Sequence, residues 1–181
     1  MIDKQQRLQD RLGPEIQEFR ESCQTLQLAT LNHGIPHVSY SPFAHTSHGY
    51  FILISDIAQH GQNLKHAKSV SIMMIEDEAE AKSIYARRRL TFDTQAACID
   101  KQSDIGVEAI AAMRHRFGEI IDNLSTLGDF NLYQLVPEKG RYVKGFGKAF
   151  NVSGDELLSF MHLTEGHVQE QKRSTESSEI S

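Results

Sequence analysis

The chain has no stretch of about 18 consecutive apolar residues, the minimum for a transmembrane helix. The opening "MIDKQQRLQD" lacks the apolar core of a secretory leader, so membrane insertion is not expected and a cytoplasmic location is. Positive charge is also short, with 19 basic residues against 24 acidic ones and a net charge of −5. That balance gives no general attraction to nucleic acid or to an anionic membrane, so an anionic ligand must meet a local basic patch. Only two cysteines are present, Cys23 and Cys98, without the C-x-x-C spacing of a metal or redox centre, and both are read as buried thiols. No repeat is visible, and low complexity is confined to the Ser/Glu/Gln/Lys tail after Val168. A glycine fingerprint for a dinucleotide is missing too. The G-x-G of "GFGKAF" (145–150) lies inside a strand pattern rather than opening a helix, and reads as a twisted or bulged strand.

What is there is one domain's worth of alternating pattern. At 181 residues the chain can bury about two thirds of its unfolded surface without disulfides or metal. Leu8, Leu12, Ile16, Phe19 and Cys23 recur at helical spacing, which predicts an amphipathic helix over 3–23, broken or kinked at Gly13-Pro14. Two β-type runs flank Asn32-His33-Gly34, a hairpin signal, with Pro36 and Pro42 suited to strand ends or an edge. The apolar runs 49–55 and 69–76 suit the interior of a sheet, with room for only a short helix between them. Residues 89–99 alternate strictly, and one long helix follows through Val107, Ile110, Met113, Phe117 and Ile121. Residues 129–150 read as two strands joined at Pro137-Glu138-Lys139-Gly140. Six to seven strands with few helices favour a small barrel.

Candidate chemistry is thinly spread. "ARRRL" (86–90) is the densest positive charge, able to clamp carboxylates or phosphates, although the acidic "EDEAEA" (76–81) before it can neutralise part of that charge. His33, His37, His45 and His48 have no zinc-site spacing and read as surface or hydrogen-bonded histidines. Asp129 stands in the apolar "LGDFNL" and needs a partner if buried, for which a helix cap or a salt bridge is the ordinary explanation. "HLTEGH" (162–167) places two histidines just before the polar tail.

A helix followed by "LQLATLNHGIPHVSYSPF" resembles the opening of the pyridoxamine-phosphate-oxidase-like proteins, and within them "YFILISDIAQHGQNL", "VSIMMIEDEAEAKSIYARRRLTF", "MRHRFGEIIDNLSTLGDF", "VKGFGKAF" and "HLTEGH", taken in order, resemble the HutZ/HugZ haem-utilisation family, nearest to the HutZ type. The resemblance runs from about residue 3 to residue 168. It implies a mainly β fold with flanking helices, a split β-barrel of the FMN-binding kind that forms a homodimer. It divides the chain into a barrel with its N-terminal helix (1–152) and a C-terminal haem-binding arm with a disordered polar tail (153–181). It implies His167 as the axial ligand of haem iron, with Gly166 free to aim it, Asp129 as the carboxylate bonded to that histidine, Arg89 as a partner for a propionate and His60 as a further pocket residue. The implied activity is oxygen-dependent opening of the porphyrin to a biliverdin-like product with release of iron. Haem is then ligand and substrate, no flavin is expected, and an external electron donor and a haem-delivery protein are the implied partners. A haem carrier or store without turnover, and a flavin-dependent oxidoreductase on the same barrel, are the alternatives.

Overall fold

A computed structural model describes residues 4–154 and 158–160 of the chain. In chain order the elements are α1 (Lys4–Ser22), β1 (Thr25–Asn32), β2 (Ile35–Pro42), β3 (Ala44–Thr46), β4 (Gly49–Ser55), α2 (Gln59–His66), β5 (Ser69–Ile75), β6 (Arg89–Ile99), α3 (Asp104–Phe117), α4 (Ile120–Thr126), β7 (Phe130–Gly145), β8 (Lys148–Ser153) and β9 (Leu158–Phe160). The ladders are antiparallel and join the strands in the order β2-β1-β5-β6-β7-β4-β3, with β8 and β9 branching from β7.

The sheet is not a closed barrel, which corrects the expected split β-barrel. Among the described residues no ladder joins the end strands β2 and β3. Those strands follow one another in the chain, linked through Phe43 alone, so the same segment leaves β1 and takes up β4. Pro42 has no N–H to donate at this corner, and the Phe43 ring is fully buried. Covalent continuity and packing stand where a closing ladder would be.

The apolar run of β4 is explained by its two faces. Tyr50, Ile52 and Ile54 join a core covered by α1, whereas Phe51 and Leu53 join a second cluster under α3 and α4 with Ala109, Met113 and Ile121. Each face of this strand therefore packs against protein, and polar alternation has no place in it.

Helix α1 runs through Pro14 as one helix, so of the expected break or kink there the break is excluded. A mid-helix proline costs about 3 kcal/mol. Leu8, Leu12, Ile16 and Phe19 are all buried on the sheet, at roughly 1.5–3 kcal/mol each, and together they outweigh that cost. The next turn adds a polar clasp: Glu15 Oε1 accepts from the Tyr142 hydroxyl at 2.8 Å and Oε2 from Lys144 Nζ at 2.6 Å. Burial pushes the Glu15 carboxyl up, but the bonds from Lys144 and Tyr142 and the charges of Lys144 and Arg88 prevail and hold it below its ordinary 4.5. A depressed carboxylate stabilises the fold above its unfolded value and loses that effect as pH falls through the folded one. Glu15→Gln should therefore lower stability by about 1 kcal/mol at neutral pH, after discounting the part-exposed ion pair for solvent. In urea unfolding the gap between variant and wild type should close as pH falls below 4.5.

Three further expectations are corrected. The long helix after β6 is two helices, because Gly118 turns to a φ of 78° and its N–H bonds Arg114 O at the end of α3. Pro137-Glu138-Lys139-Gly140 is not a turn: β7 runs straight through it, and the register slips there, Asp93 facing Lys139 while Thr94 faces Pro137. The extra residue makes a bulge, which bends the strand without ending it. The actual turn is at "GFGK", between β7 and β8. Cys98 is exposed and Cys23 half-buried, so neither is the fully buried thiol expected.

Candidate functional site

Asp129 lies in the link from α4 to β7. Phe130 N–H donates to Leu127 O at 3.3 Å, closing a turn whose central residues are Gly128 and Asp129. The turn is moored to the end of β4, where Asp56 N–H donates to Asp129 O at 2.7 Å and the Ser55 hydroxyl to Asp129 Oδ2 at 2.8 Å. Ser55 Oγ also accepts from Ile57 N–H at 3.1 Å, so its proton is left for the carboxylate. Asp129 is half-buried, and among the described residues its other oxygen, Oδ1, has no hydrogen-bond partner. Among the described residues the carboxylate caps no helix and joins no salt bridge. One oxygen is fixed, and no described donor meets the other.

His60 belongs to the same end of the sheet. A Cβ at Gly61 would stand 2.2 Å from Ser55 O, so α2 approaches the end of β4 as closely as only glycine allows. The ring of His60, one residue earlier, shares a hydrogen bond of 2.9 Å between Nδ1 and Ser39 Oγ on β2. Burial, and then the charge of nearby His37, lowers its pKa, which favours the neutral imidazole at neutral pH.

The arginine triplet is divided. Arg88 Nε bonds Glu76 Oε1 at 2.9 Å and Arg88 N–H bonds Oε2 at 3.1 Å, while Arg87 bonds the Glu76 carbonyl and meets Glu78 Oε1 at 3.2 Å. Burial raises the Glu76 carboxyl, but the bonds and charge of Arg88, with the charge of Arg87, bring it below its ordinary value. The acidic run before the triplet thus takes two of its three charges. Arg89 is left with a 3.3 Å bond to Arg87 O and pairs with no carboxylate among the described residues.

The three candidate residues that are described, Asp129, Arg89 and His60, do not gather in one place. Arg89 opens β6 opposite Val143, whereas the ladder's other end pairs Ile99 with Leu132, three residues beyond Asp129. Ten residues of strand, roughly 30 Å at about 3.3 Å each, separate the two ends. Asp129 and His60 share one end, and Arg89 stands at the other. His167 and His162 lie outside the described residues.

Sequence reasoning missed two residues here. Ser55 closes an apolar run and Lys101 falls between the strand 89–99 and the helix after it, and nothing in the spacing marks either as a contact of the Asp129 turn. Lys101 Nζ donates to the carbonyls of Ser125, Leu127 and Phe130 at 2.7, 3.3 and 2.9 Å. Another feature, a cleft of about 540 Å³ between α1, β3 and α3, is lined in part by Arg20, His45, His115 and Arg116. His45 is lowered to about 4 there, by burial and then the charge of Arg20. Arg116 bonds Cys23 O and stacks on Phe43 and Phe117, centroids 4.9 and 5.6 Å away, which ties α3 to the end of α1. Among the described residues no group of three or more His, Cys, Asp or Glu is placed to hold a metal ion, and no helix is long and apolar enough to cross a membrane.

Residues 12–144 match the family model described as pyridoxamine 5'-phosphate oxidase. Over 165 residues, 91% of this chain and 94% of the other, the sequence is 58% identical to "Heme oxygenase HutZ" of Vibrio cholerae. The chain belongs to the HutZ/HugZ haem-utilisation family. This bears out the resemblance read from the ordered segments. A crystal structure of HutZ, there described as the heme storage protein from Vibrio cholerae, superposes with a TM-score of 0.71 at 56% identity, covering 76% of this chain and 97% of that one. The crystal structure of Campylobacter jejuni ChuZ gives a TM-score of 0.79 at 30% identity over 88% of this chain and 66% of its own. HutZ is thus described once as an oxygenase and once as a store.

Proposed function

We propose that the protein is a haem-degrading enzyme of iron acquisition that works in the cytoplasm, with haem, not flavin, as its ligand and substrate. It uses molecular oxygen and electrons from an external donor, receives haem from a delivery protein, and yields iron and a biliverdin-like tetrapyrrole. The observation that carries the site is the half-buried Asp129 carboxylate, with Oδ2 held by Ser55 and Oδ1 met by no described donor. An imidazole N–H fits that oxygen, and a histidine so bonded becomes a stronger donor to the iron of a haem bound on its other face. His167, on the arm formed by 153–181, is the histidine we assign to it. Arg89, whose charge no described carboxylate meets, suits a haem propionate, and the neutral imidazole of His60 suits the pocket wall beside Asp129.

The site is composite in this reading. Arg89 and Asp129 stand at opposite ends of the β6–β7 ladder, so one haem is reached by both when two protomers meet and each supplies one end. A homodimer with two equivalent sites at its interface follows. The exposed Val38 and Tyr40 on the outward side of edge strand β2 give such an interface apolar surface to bury.

The description of HutZ as a storage protein favours a second reading, in which haem is held and passed on intact. One assay separates the two. Aerobic incubation of the haem complex with a reductant should bleach the Soret band while free iron and tetrapyrrole rise in equal amounts. An unchanged Soret band, with haem recovered whole, would leave storage as the function.

A further inference from the structure

We propose that Lys101 is a positioning residue for the haem site, acting through Asp129; this rests on the reading of Asp129 as the acceptor of the ligand histidine. An ammonium carries three N–H donors, and Lys101 directs them at three carbonyls, Ser125 O at 2.7 Å, Leu127 O at 3.3 Å and Phe130 O at 2.9 Å. Those carbonyls bracket Asp129 in sequence: the first lies in the last turn of α4, the second opens the turn, and the third begins β7. Without the lysine, the end of α4 and the following link present carbonyls with no helical partner. The ammonium gathers them around one point, as cations do at helix C-termini.

The base of the lysine is itself fixed. A Cβ on Gly106 would lie 2.1 Å from Asp100 O and 2.9 Å from Lys101 Cα, so the backbone at 100–101 is pressed against the first turn of α3. Ser103 N–H and Oγ both bond Asp100 O, at 3.1 and 2.6 Å. The chain of support runs from α3 through Lys101 to the 125–130 link and then to Asp129. At the end of β4, Ser55 and Asp56 hold the carboxylate and the carbonyl of Asp129. The turn is therefore clamped between two elements, β4 and the start of α3. That clamp decides how squarely Oδ1 faces an incoming imidazole, and a bond of this kind weakens steeply as its alignment is lost.

Lys101→Met keeps the stem and removes all three donors. Four proteins are compared as haem complexes: wild type, Lys101→Met, Asp129→Asn and the double variant. The iron–histidine stretching band of the ferrous complex reports the strength of the imidazole's hydrogen bond, which a merely structural change would not move. Asp129→Asn should lower that frequency. Lys101→Met should lower and broaden it as well and slow ring opening about 3- to 10-fold, less than the 10- to 100-fold typical of a direct partner of a metal ligand. In the Asp129→Asn background, Lys101→Met should change neither the band nor the rate, because the acceptor it aims is already lost. Two outcomes overturn the proposal while leaving the site reading intact: a band unmoved by Lys101→Met where Asp129→Asn moves it, or equal Lys101→Met shifts in both backgrounds. An unmoved band in Asp129→Asn would instead overturn the reading of Asp129 itself. Should Lys101→Met fail to fold, Lys101→Gln, which keeps an amide donor on a shorter stem, takes its place with the same expectations.

Discussion

Dimers reassembled from a mixture of Arg89→Ala and Asp129→Ala protomers should recover haem sites that neither variant possesses alone. With Arg89 of one protomer and Asp129 of the other serving the same haem, every mixed dimer contains one doubly damaged site and one site with both residues intact. Random exchange makes about half the dimers mixed, so about a quarter of all sites should regain wild-type binding and turnover. The alternative geometry, with both residues drawn from one protomer, leaves a lesion in every site and holds the mixture at the average of its parents. The ladder is the reason to expect recovery, since Arg89 faces Val143 while the Asp129 end lies past the Leu132–Ile99 pair. Haem titration and aerobic turnover, with exchange followed through differently tagged protomers, read the result. Full exchange without recovery would exclude the cross-protomer site.

Local signals in the sequence carried much of this architecture because they are written in adjacent residues. His33 and Gly34, at φ of 49° and 83°, form the two-residue turn that Asn32-His33-Gly34 announces, and β1 and β2 pair outward from it. The unbroken apolar run of β4 announced an interior strand. The acidic segment before the arginine triplet neutralises Arg87 and Arg88 as its proximity suggested. Errors arose where a local cue was overruled at a distance. "PEKG" has turn chemistry, yet β6 and β8 flank that stretch of β7, and the ladders on either side hold it extended through a bulge. Pro14 is a helix breaker in isolation, but the buried face of α1 extends on both sides of it. Barrel closure depends on whether two strand ends meet in space, and no residue pattern records that. The candidate site divides the same way. Asp129 stood out by type, an acid among apolar residues, and the arginine triplet as a run of cations from which the family resemblance picked Arg89, whereas Ser55 and Lys101 matter only through contacts 74 residues and 24 to 29 residues away along the chain.

His167→Ala should remove the spectral signature of histidine-bound haem and weaken haem binding by more than the ~10- to 100-fold typical of losing a ligand's outer partner. His162→Ala, five residues earlier in the same "HLTEGH" segment, should leave spectrum and affinity near wild type. The contrast is informative because both variants remove an imidazole from one short stretch, so a general effect on that segment would strike both. Asp129 Oδ1, which no described donor meets, supplies the physical reason to expect one privileged histidine: a ring N–H donated to it fixes that imidazole's tautomer, and the other ring nitrogen is then left as the ligand. Coupling gives the stricter test. Asp129→Asn should raise the haem reduction potential in the wild-type chain, since a weaker acceptor leaves the imidazole a poorer donor to ferric iron. In the His167→Ala background, with exogenous imidazole restoring a mobile ligand, the same substitution should have a smaller effect, because a ligand not tethered to the chain is not held against the carboxylate. Equal shifts in the two backgrounds would mean that Asp129 acts on haem without His167, and unaltered haem spectra in His167→Ala would remove this residue from the iron altogether.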